Sequence, residues 1–319
     1  MGQCNSQCES QSPRNPASAG RTTAVLRSRF MAHLDWLKKR FAPHRLLGKP
    51  HQTIILMDPV IAHIHVPKCG GTAFRKFLIK HYGPAHLPLY VSDTFFVYPE
   101  EELAGYLTDR AVRGFSSHFV RTFPEKLADR DLIYITFLRN PVDQFISYIT
   151  YVQKNYQNIQ HEKTLLSCLP PHLLSLSVRE VARWILTCDR EVNFRENFTV
   201  NFFARYTLPG EVGPFRVDKY YRQNRLAAAQ RILAQFFFVG VSEQMDRSVA
   251  VLRKLMERCN FDFPPGEVPL ENTSFEFRDD LSWIRGEDEV GSLLLQSVRE
   301  DQKLYEWAVA RLRTLEQSY

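Results

Sequence analysis

One short stretch constrains the chain more than any other: Ile61-Ala-His-Ile-His-Val-Pro-Lys-Cys-Gly-Gly-Thr-Ala73. Ile61, Ala62, Ile64 and Val66 form a brief β-prone apolar run that Pro67 stops, and Phe74, Phe77 and Leu78 then begin a helical spacing. The order strand, tight loop, helix belongs to α/β proteins. A Gly-Gly pair at such a junction lets backbone N–H groups turn inward, while the helix starting near Thr72 points its positive end at the same place. The loop is predicted to hold a phosphate or a sulfate.

The position of the lysine restricts the chemistry further. Nucleotide triphosphatase loops read Gly-x-x-x-x-Gly-Lys-Ser/Thr, with lysine after the glycines and a hydroxyl for magnesium. Here Lys68 precedes Gly70 and Gly71. A second anion site is predicted from Thr136-Phe-Leu-Arg-Asn-Pro-Val-Asp-Gln-Phe-Ile-Ser147. Arg139 follows a buried-type strand, Pro141 opens a helix at its permitted first turn, and Ser147 lies two turns into it. A guanidinium at a strand end can clamp a phosphate while the hydroxyl adds a donor.

Lysine-first Pro-Lys-x-Gly-Gly-Thr followed by Arg-x-Pro with a serine eight residues after the arginine resembles the carbohydrate sulfotransferases, of the heparan and chondroitin type and their bacterial relatives. Phe238-Val-Gly-Val-Ser-Glu243, Glu271-Asn-Thr-Ser274 and Asp301-Gln-Lys-Leu-Tyr-Glu-Trp307 add to the likeness, which covers roughly residues 60 to 312. The resemblance implies a nucleotide-triphosphatase-like three-layer α/β fold with a central parallel sheet flanked by helices. It implies 3′-phosphoadenosine 5′-phosphosulfate as co-substrate, without a metal. Pro67, Lys68, Cys69, Gly70, Gly71, Thr72 and Ala73 would hold the phosphosulfate, and Arg139 and Ser147 the 3′-phosphate. Lys68 would also stabilise the leaving group, and His118, in Gly114-Phe-Ser-Ser-His-Phe119, would be the base. His65 is expected to be structural or to support that base, His63 to be structural only, and Asn272 and Ser274 to close over the nucleotide. The acceptor would be a hydroxyl on a glycan or glycoconjugate. Two alternatives stand beside this: a kinase on a similar phosphate-binding fold, and a nucleotide-binding protein without turnover.

Charge excludes one class of partner. Residues 1–50 carry nine Lys/Arg and two Asp/Glu, a net +7, leaving 32 basic and 33 acidic residues in the remainder, a net −1. The overall +6 therefore belongs to a leader, and no nucleic-acid partner is expected of the fold. Residues 1–50 are expected to be a disordered leader followed by a basic amphipathic helix over 26–41, and 51–319 the sulfotransferase domain. That helix could touch a membrane surface, which the Met1-Gly2 start with Ser6 would reinforce, or simply dock on the body. The six cysteines show no metal-ligand spacing, so no metal site is expected. Cys168 and Cys188 would pair only if the chain were exported; a cytoplasmic location and free thiols are the expectation. Further elements are predicted as a strand over 112–118, a short helix over 123–129, a strand over 132–138, a helix from Pro141, a polar loop over 151–171, a helix over 178–187, irregular chain over 195–217, a helix over 218–235, a strand over 236–241, a helix over 243–258 and one long helix over 288–315.

Overall fold

A computed structural model describes residues 56–90, 98–120, 123–159, 170–188, 195–204, 219–269, 281–285 and 288–318. The leader, the 26–41 helix, Cys168 and the Glu271–Ser274 stretch lie outside the described residues.

Six strands build a mostly parallel sheet flanked by helices on both faces: β1 Val60–Ile64, β2 His86–Pro88, β3 Gly114–Ser117, β4 Lys126–Leu127, β5 Arg130–Leu138 and β6 Phe238–Val241. β1 is central, hydrogen-bonded in parallel to β3 on one side and β5 on the other. β2 lies outside β3, and β6 runs along the C-terminal half of β5. The five parallel strands consequently end at one edge, where the loops after β1, β3, β5 and β6 gather. That edge is where open α/β sheets bind ligands.

Alternation along the strands feeds two cores. Val60, Ala62 and Ile64 of β1 join Leu132, Tyr134 and Leu138 of β5 on one face, while Ile61 joins Ile133, Ile135 and Phe137 on the other. Helix α1 (Gly71–Tyr82) covers the second face with Phe74, Phe77 and Leu78. Burying each such side chain contributes about 1.5–3 kcal/mol. Helices α2 (Glu100–Leu107), α3 (Pro141–Ile159), α4 (Val178–Thr187), α5 (Phe198–Ala204), α6 (Lys219–Gln235) and α8 (Glu289–Ser297) lie on the first face, and α7 (Met245–Arg258) on the second. Helix α9 (Arg299–Gln317) serves both, with Leu304 and Ala308 in one core and Leu312 and Leu315 in the other.

Four sequence expectations are corrected. Residues 123–129 are not helical: Ala128 (φ 50°) and Asp129 (φ 59°) both turn left-handed and fold β4 back onto the start of β5 as a tight hairpin. The polar stretch after Tyr151 does not begin a loop, because α3 continues to Ile159. Part of the segment expected to be irregular over 195–217 is α5. The single C-terminal helix is two, broken at Val298, because the Asn197 side-chain oxygen accepts from the amides of Glu300 (2.7 Å) and Asp301 (3.1 Å). The Asn197 amide in turn donates to the carbonyl of Ser297 at 2.9 Å. A docked segment supplies the hydrogen bonds that a continuous helix would have made itself.

Candidate functional site

The loop from His65 to Gly70 leaves β1 at the C-terminal edge of the parallel strands and enters α1. Lys68 (φ 65°) and Gly70 (φ 74°) are both left-handed, and this alternation bends the backbone into a tight cup. Gly70 is the helix N-cap and no side chain caps it; its carbonyl accepts from the amides of Ala73 and Phe74. Among the described residues the amides of Gly71 and Thr72 have no backbone acceptor. An anion in the cup would satisfy them, and the helix dipole favours it.

Arg139 comes to the same place from the end of β5. Its Nη1 donates to the carbonyl of Lys68 at 3.2 Å. The Lys68 ammonium lies 4.3 Å from the centre of the Tyr151 ring, on α3. Burial, Arg139 and Lys154 together lower Lys68 to about 8. Among the described residues neither Lys68 nor Arg139 has a carboxylate partner. Two adjacent cations without a counterion are arranged for an anionic ligand. Cys69, beside them, is 1% exposed, and burial raises its thiol well above the ordinary range, so it is an inert packing group.

The neighbouring strands complete this half of the site. Glu243, just past β6, accepts the Asn140 amide at 2.7 Å, and Ser242 donates to the Leu138 carbonyl at 3.1 Å. Tyr305 of α9 donates to the other oxygen of Glu243 at 3.2 Å. The Phe238–Glu243 and Asp301–Trp307 stretches thus brace the chain on either side of Arg139. Asn140 itself accepts from the Val142 amide at 3.0 Å and so starts α3. Ser147 is buried in that helix at 6% exposure, two turns from Arg139. Pro67 passes its carbonyl to Gln144 (2.8 Å).

The other half of the site is built from imidazoles. His118 follows β3, and its Nδ1 donates to the carbonyl of His65. A carbonyl can only accept, which leaves Nε2 of His118 with the free lone pair. The His118 ring packs 4.2 Å from the His65 ring, whose Nδ1 bonds to the hydroxyl of Tyr90 at 2.8 Å. Behind them Ser116 bridges His63 (2.9 Å) and His86 (2.8 Å). The guanidinium of Arg75 sits over the Tyr90 ring at 4.6 Å. Burial holds His118 and His86 down to about 4, and His63 and His65 well below the ordinary 6.5. All four imidazoles are therefore neutral at physiological pH.

Comparison with protein-family models finds no match to the chain, and comparison with curated proteins finds none either.

Lys68, Gly70, Gly71, Thr72, Arg139 and His118 come to the one sheet edge. The two halves meet at Gly71, where an added Cβ would lie 1.9 Å from Cδ2 of His65. Sequence reading passed over Gln144, Tyr90, Tyr151 and Arg75. The signal for Gln144 and Tyr151 was their spacing from Arg139 along α3; Tyr90, beyond a short strand without periodicity, carried none. No group of His, Cys, Asp and Glu suited to a metal occurs among the described residues, and among them no helix is long and apolar enough to cross a membrane.

Proposed function

We propose that the chain is a sulfotransferase moving the sulfuryl group of 3′-phosphoadenosine 5′-phosphosulfate to a hydroxyl of a carbohydrate or similar acceptor. One observation carries the reading. A lysine-first loop at a helix N-terminus takes a hydrogen bond from Arg139 at 3.2 Å, and the His65 carbonyl at the start of that loop accepts from the neutral His118, so two cations and a neutral imidazole are tied to one loop. The donor needs two anion sites, and the acceptor needs a base.

In this reading the amides of Gly70 to Ala73 and the Thr72 hydroxyl hold the phosphosulfate, with Pro67 and Cys69 shaping the loop, and Arg139 and Ser147 take the 3′-phosphate. Nε2 of His118 accepts the proton of the acceptor hydroxyl as its oxygen bonds to sulfur. The bond from sulfur to the phosphate oxygen breaks, and the Lys68 ammonium stabilises the charge growing on that oxygen. Such in-line transfer relies on positioning and charge stabilisation. A base with a pKa near 4 is weak in the ground state, yet it remains unprotonated and able to accept across the physiological range. A cytoplasmic enzyme acting on a small or lipid-linked glycan is the setting this reading expects.

Calorimetric titration with adenosine 3′,5′-bisphosphate in magnesium-free buffer tests it. Tight binding that both Lys68→Ala and Arg139→Ala weaken is the expected result. Absence of binding, with ATP and magnesium binding instead, overturns the reading in favour of a kinase. Binding without sulfation of any glycan acceptor would leave a nucleotide-binding protein.

A further inference from the structure

The loop is fastened from behind by a chain of hydrogen bonds that crosses three helices. Nε2 of Gln144 donates to the Pro67 carbonyl at 2.8 Å, one residue before Lys68. The hydroxyl of Thr199, in α5, bonds to Oε1 of Gln144 at 2.9 Å. Chemistry fixes the direction, because the Pro67 carbonyl can only accept: the amide nitrogen must face Pro67, the amide oxygen must face Thr199, and Thr199 must donate. The amides of Thr199 and Val200 donate to the two oxygens of Asp301 at 3.1 and 2.7 Å. Asp301 in α9 is itself held by Asn197, whose side-chain oxygen accepts its amide at 3.1 Å. Gln144, Thr199 and Asp301 are 2%, 5% and 3% exposed, respectively.

The placement is costly unless it does something. A buried primary amide, hydroxyl and carboxylate must each find partners or lose stability, and an apolar trio of the same size would avoid that risk. Burial drives the Asp301 carboxyl up to about 7, partly offset by the two amides it accepts. Lys68 is left-handed without being a glycine, so the loop's backbone is held there in a conformation that a lysine seldom adopts. Pro67 cannot donate a backbone hydrogen bond, which leaves its carbonyl as the handle by which this turn can be held from the interior.

We infer that Gln144 is a positioning residue for the Lys68 loop, aligned by the Thr199 hydroxyl and anchored at its far end by Asp301. It does not touch the donor. It sets the angle at which the Lys68 ammonium and the Gly70 to Thr72 amides face the bound phosphosulfate. The inference rests on the sulfotransferase reading for what the loop holds, but not for the fastening itself.

Two readouts separate them. Hydrogen–deuterium exchange of residues 66–74 needs no ligand. Gln144→Glu keeps the acceptor for Thr199 and removes the donor to Pro67, whereas Thr199→Val removes the hydroxyl donor and Thr199→Ser restores it. Both disrupting variants are expected to speed exchange in the 66–74 loop by about five- to tenfold, as loss of one buried hydrogen bond implies. Exchange in β1 and β5 stays at the parent rate, and Thr199→Ser exchanges like the parent. In the bisphosphate titration the same variants weaken binding by a similar factor, and in turnover they raise KM for the donor while leaving KM for the acceptor unchanged. Unchanged loop exchange in both Gln144→Glu and Thr199→Val overturns the positioning role, whatever the nucleotide does. Faster loop exchange in the two variants, with a parent chain that binds no bisphosphate, upholds the fastening and overturns only the sulfotransferase reading. Should Gln144→Glu not fold, the Thr199→Val and Thr199→Ser pair decides alone: equal exchange in the two overturns the role.

Discussion

The two halves of the site solve opposite electrostatic problems on either side of β1. On the β5 side, Lys68 and Arg139 stand together without a carboxylate among the described residues, and hydrogen bonds from Arg139 and Gln144 to the carbonyls of Lys68 and Pro67 hold them there. On the β3 side, four histidines are packed so deeply that none is charged at neutral pH. The first half is left cationic and the second neutral. Burial lowers Lys68 and His118 alike, yet the consequence differs. An ammonium lowered to about 8 is still charged at pH 7, whereas an imidazole lowered to about 4 is not.

The sharpest way to break the comparison is to remove one group from each half. If the proposed transfer is the activity, Lys68→Ala should reduce it about 10²- to 10³-fold, as loss of a donor to developing charge does. His118→Ala should reduce it about 10²- to 10⁴-fold, as loss of a general base does. Bisphosphate titration distinguishes the halves: Lys68→Ala weakens binding and His118→Ala does not. Equal weakening by both would mean that the imidazoles are part of the anion site.

Gly71→Ala attacks the contact shared by both halves. Its methyl group would have to displace the His65 ring, and overpacking of this kind costs about 1–3 kcal/mol, read as a lowered melting temperature. Activity should fall with it. A parent-like melt would show that the His65 ring can swing aside, and would uncouple the halves.

pH sharpens the contrast, with the same sign in two separate windows. The four histidines have folded-state pKa values below 6.5, so the unfolded chain takes up protons first, and their joint contribution to stability falls as pH drops from about 6.5 toward 4, opposed by the single Asp301 carboxyl, raised to about 7, whose protonation favours the folded chain. Each histidine contributes a slope of up to about 1.4 kcal/mol per pH unit across that window. Lys68 acts at the other end. Between about 8 and its ordinary 10.5 the unfolded chain holds the proton that the folded Lys68 has lost, so its own contribution to stability rises with pH. Against it act the buried Cys69 and Cys259 thiols and the Tyr82, Tyr90, Tyr134 and Tyr305 hydroxyls, which keep their protons when folded. Bisphosphate affinity falls over the same range. Denaturant midpoints and calorimetry from pH 4 to 10 check both. A midpoint that stays flat between pH 6.5 and 5 would contradict the buried, neutral histidines.

The smallest effect is expected at Tyr151, whose ring lies beneath the Lys68 ammonium. Tyr151→Leu removes a contact worth about 0.5–1 kcal/mol, a two- to fivefold loss of bisphosphate affinity. No change would mean that Lys68 turns away from the ring when the anion binds.

The parallel sheet and the strand-loop-helix unit around Lys68 were legible because their signals are local. The run Ile61 to Val66, the stop at Pro67 and the Gly-Gly turn state strand, loop and helix in sequence order, and Leu132 to Leu138 reads as buried strand at every position. The misreadings share a cause. Residues 123–129 look weakly helical by composition, but two left-handed residues let β4 pair with β5. The 288–315 stretch has an uninterrupted helical period, but Asn197, some hundred residues away, supplies the bonds that break it at Val298. His86 and Tyr90 gave no hint of their places beside Ser116 and His65, since nothing in residues 86–90 reports what lies across β3.

By itself the sequence determined the α/β class, the strand-loop-helix unit around Lys68, and which side chains could bind an anion or accept a proton, because propensity, turn chemistry and functional-group identity are properties of neighbouring residues. Only the tertiary structure decided that Arg139 reaches the Lys68 carbonyl, that four histidines are held neutral and that Gln144 ties Pro67 to α5 and α9. Each depends on burial or on a hydrogen bond between residues more than fifty positions apart, and neither is written in the order of the chain.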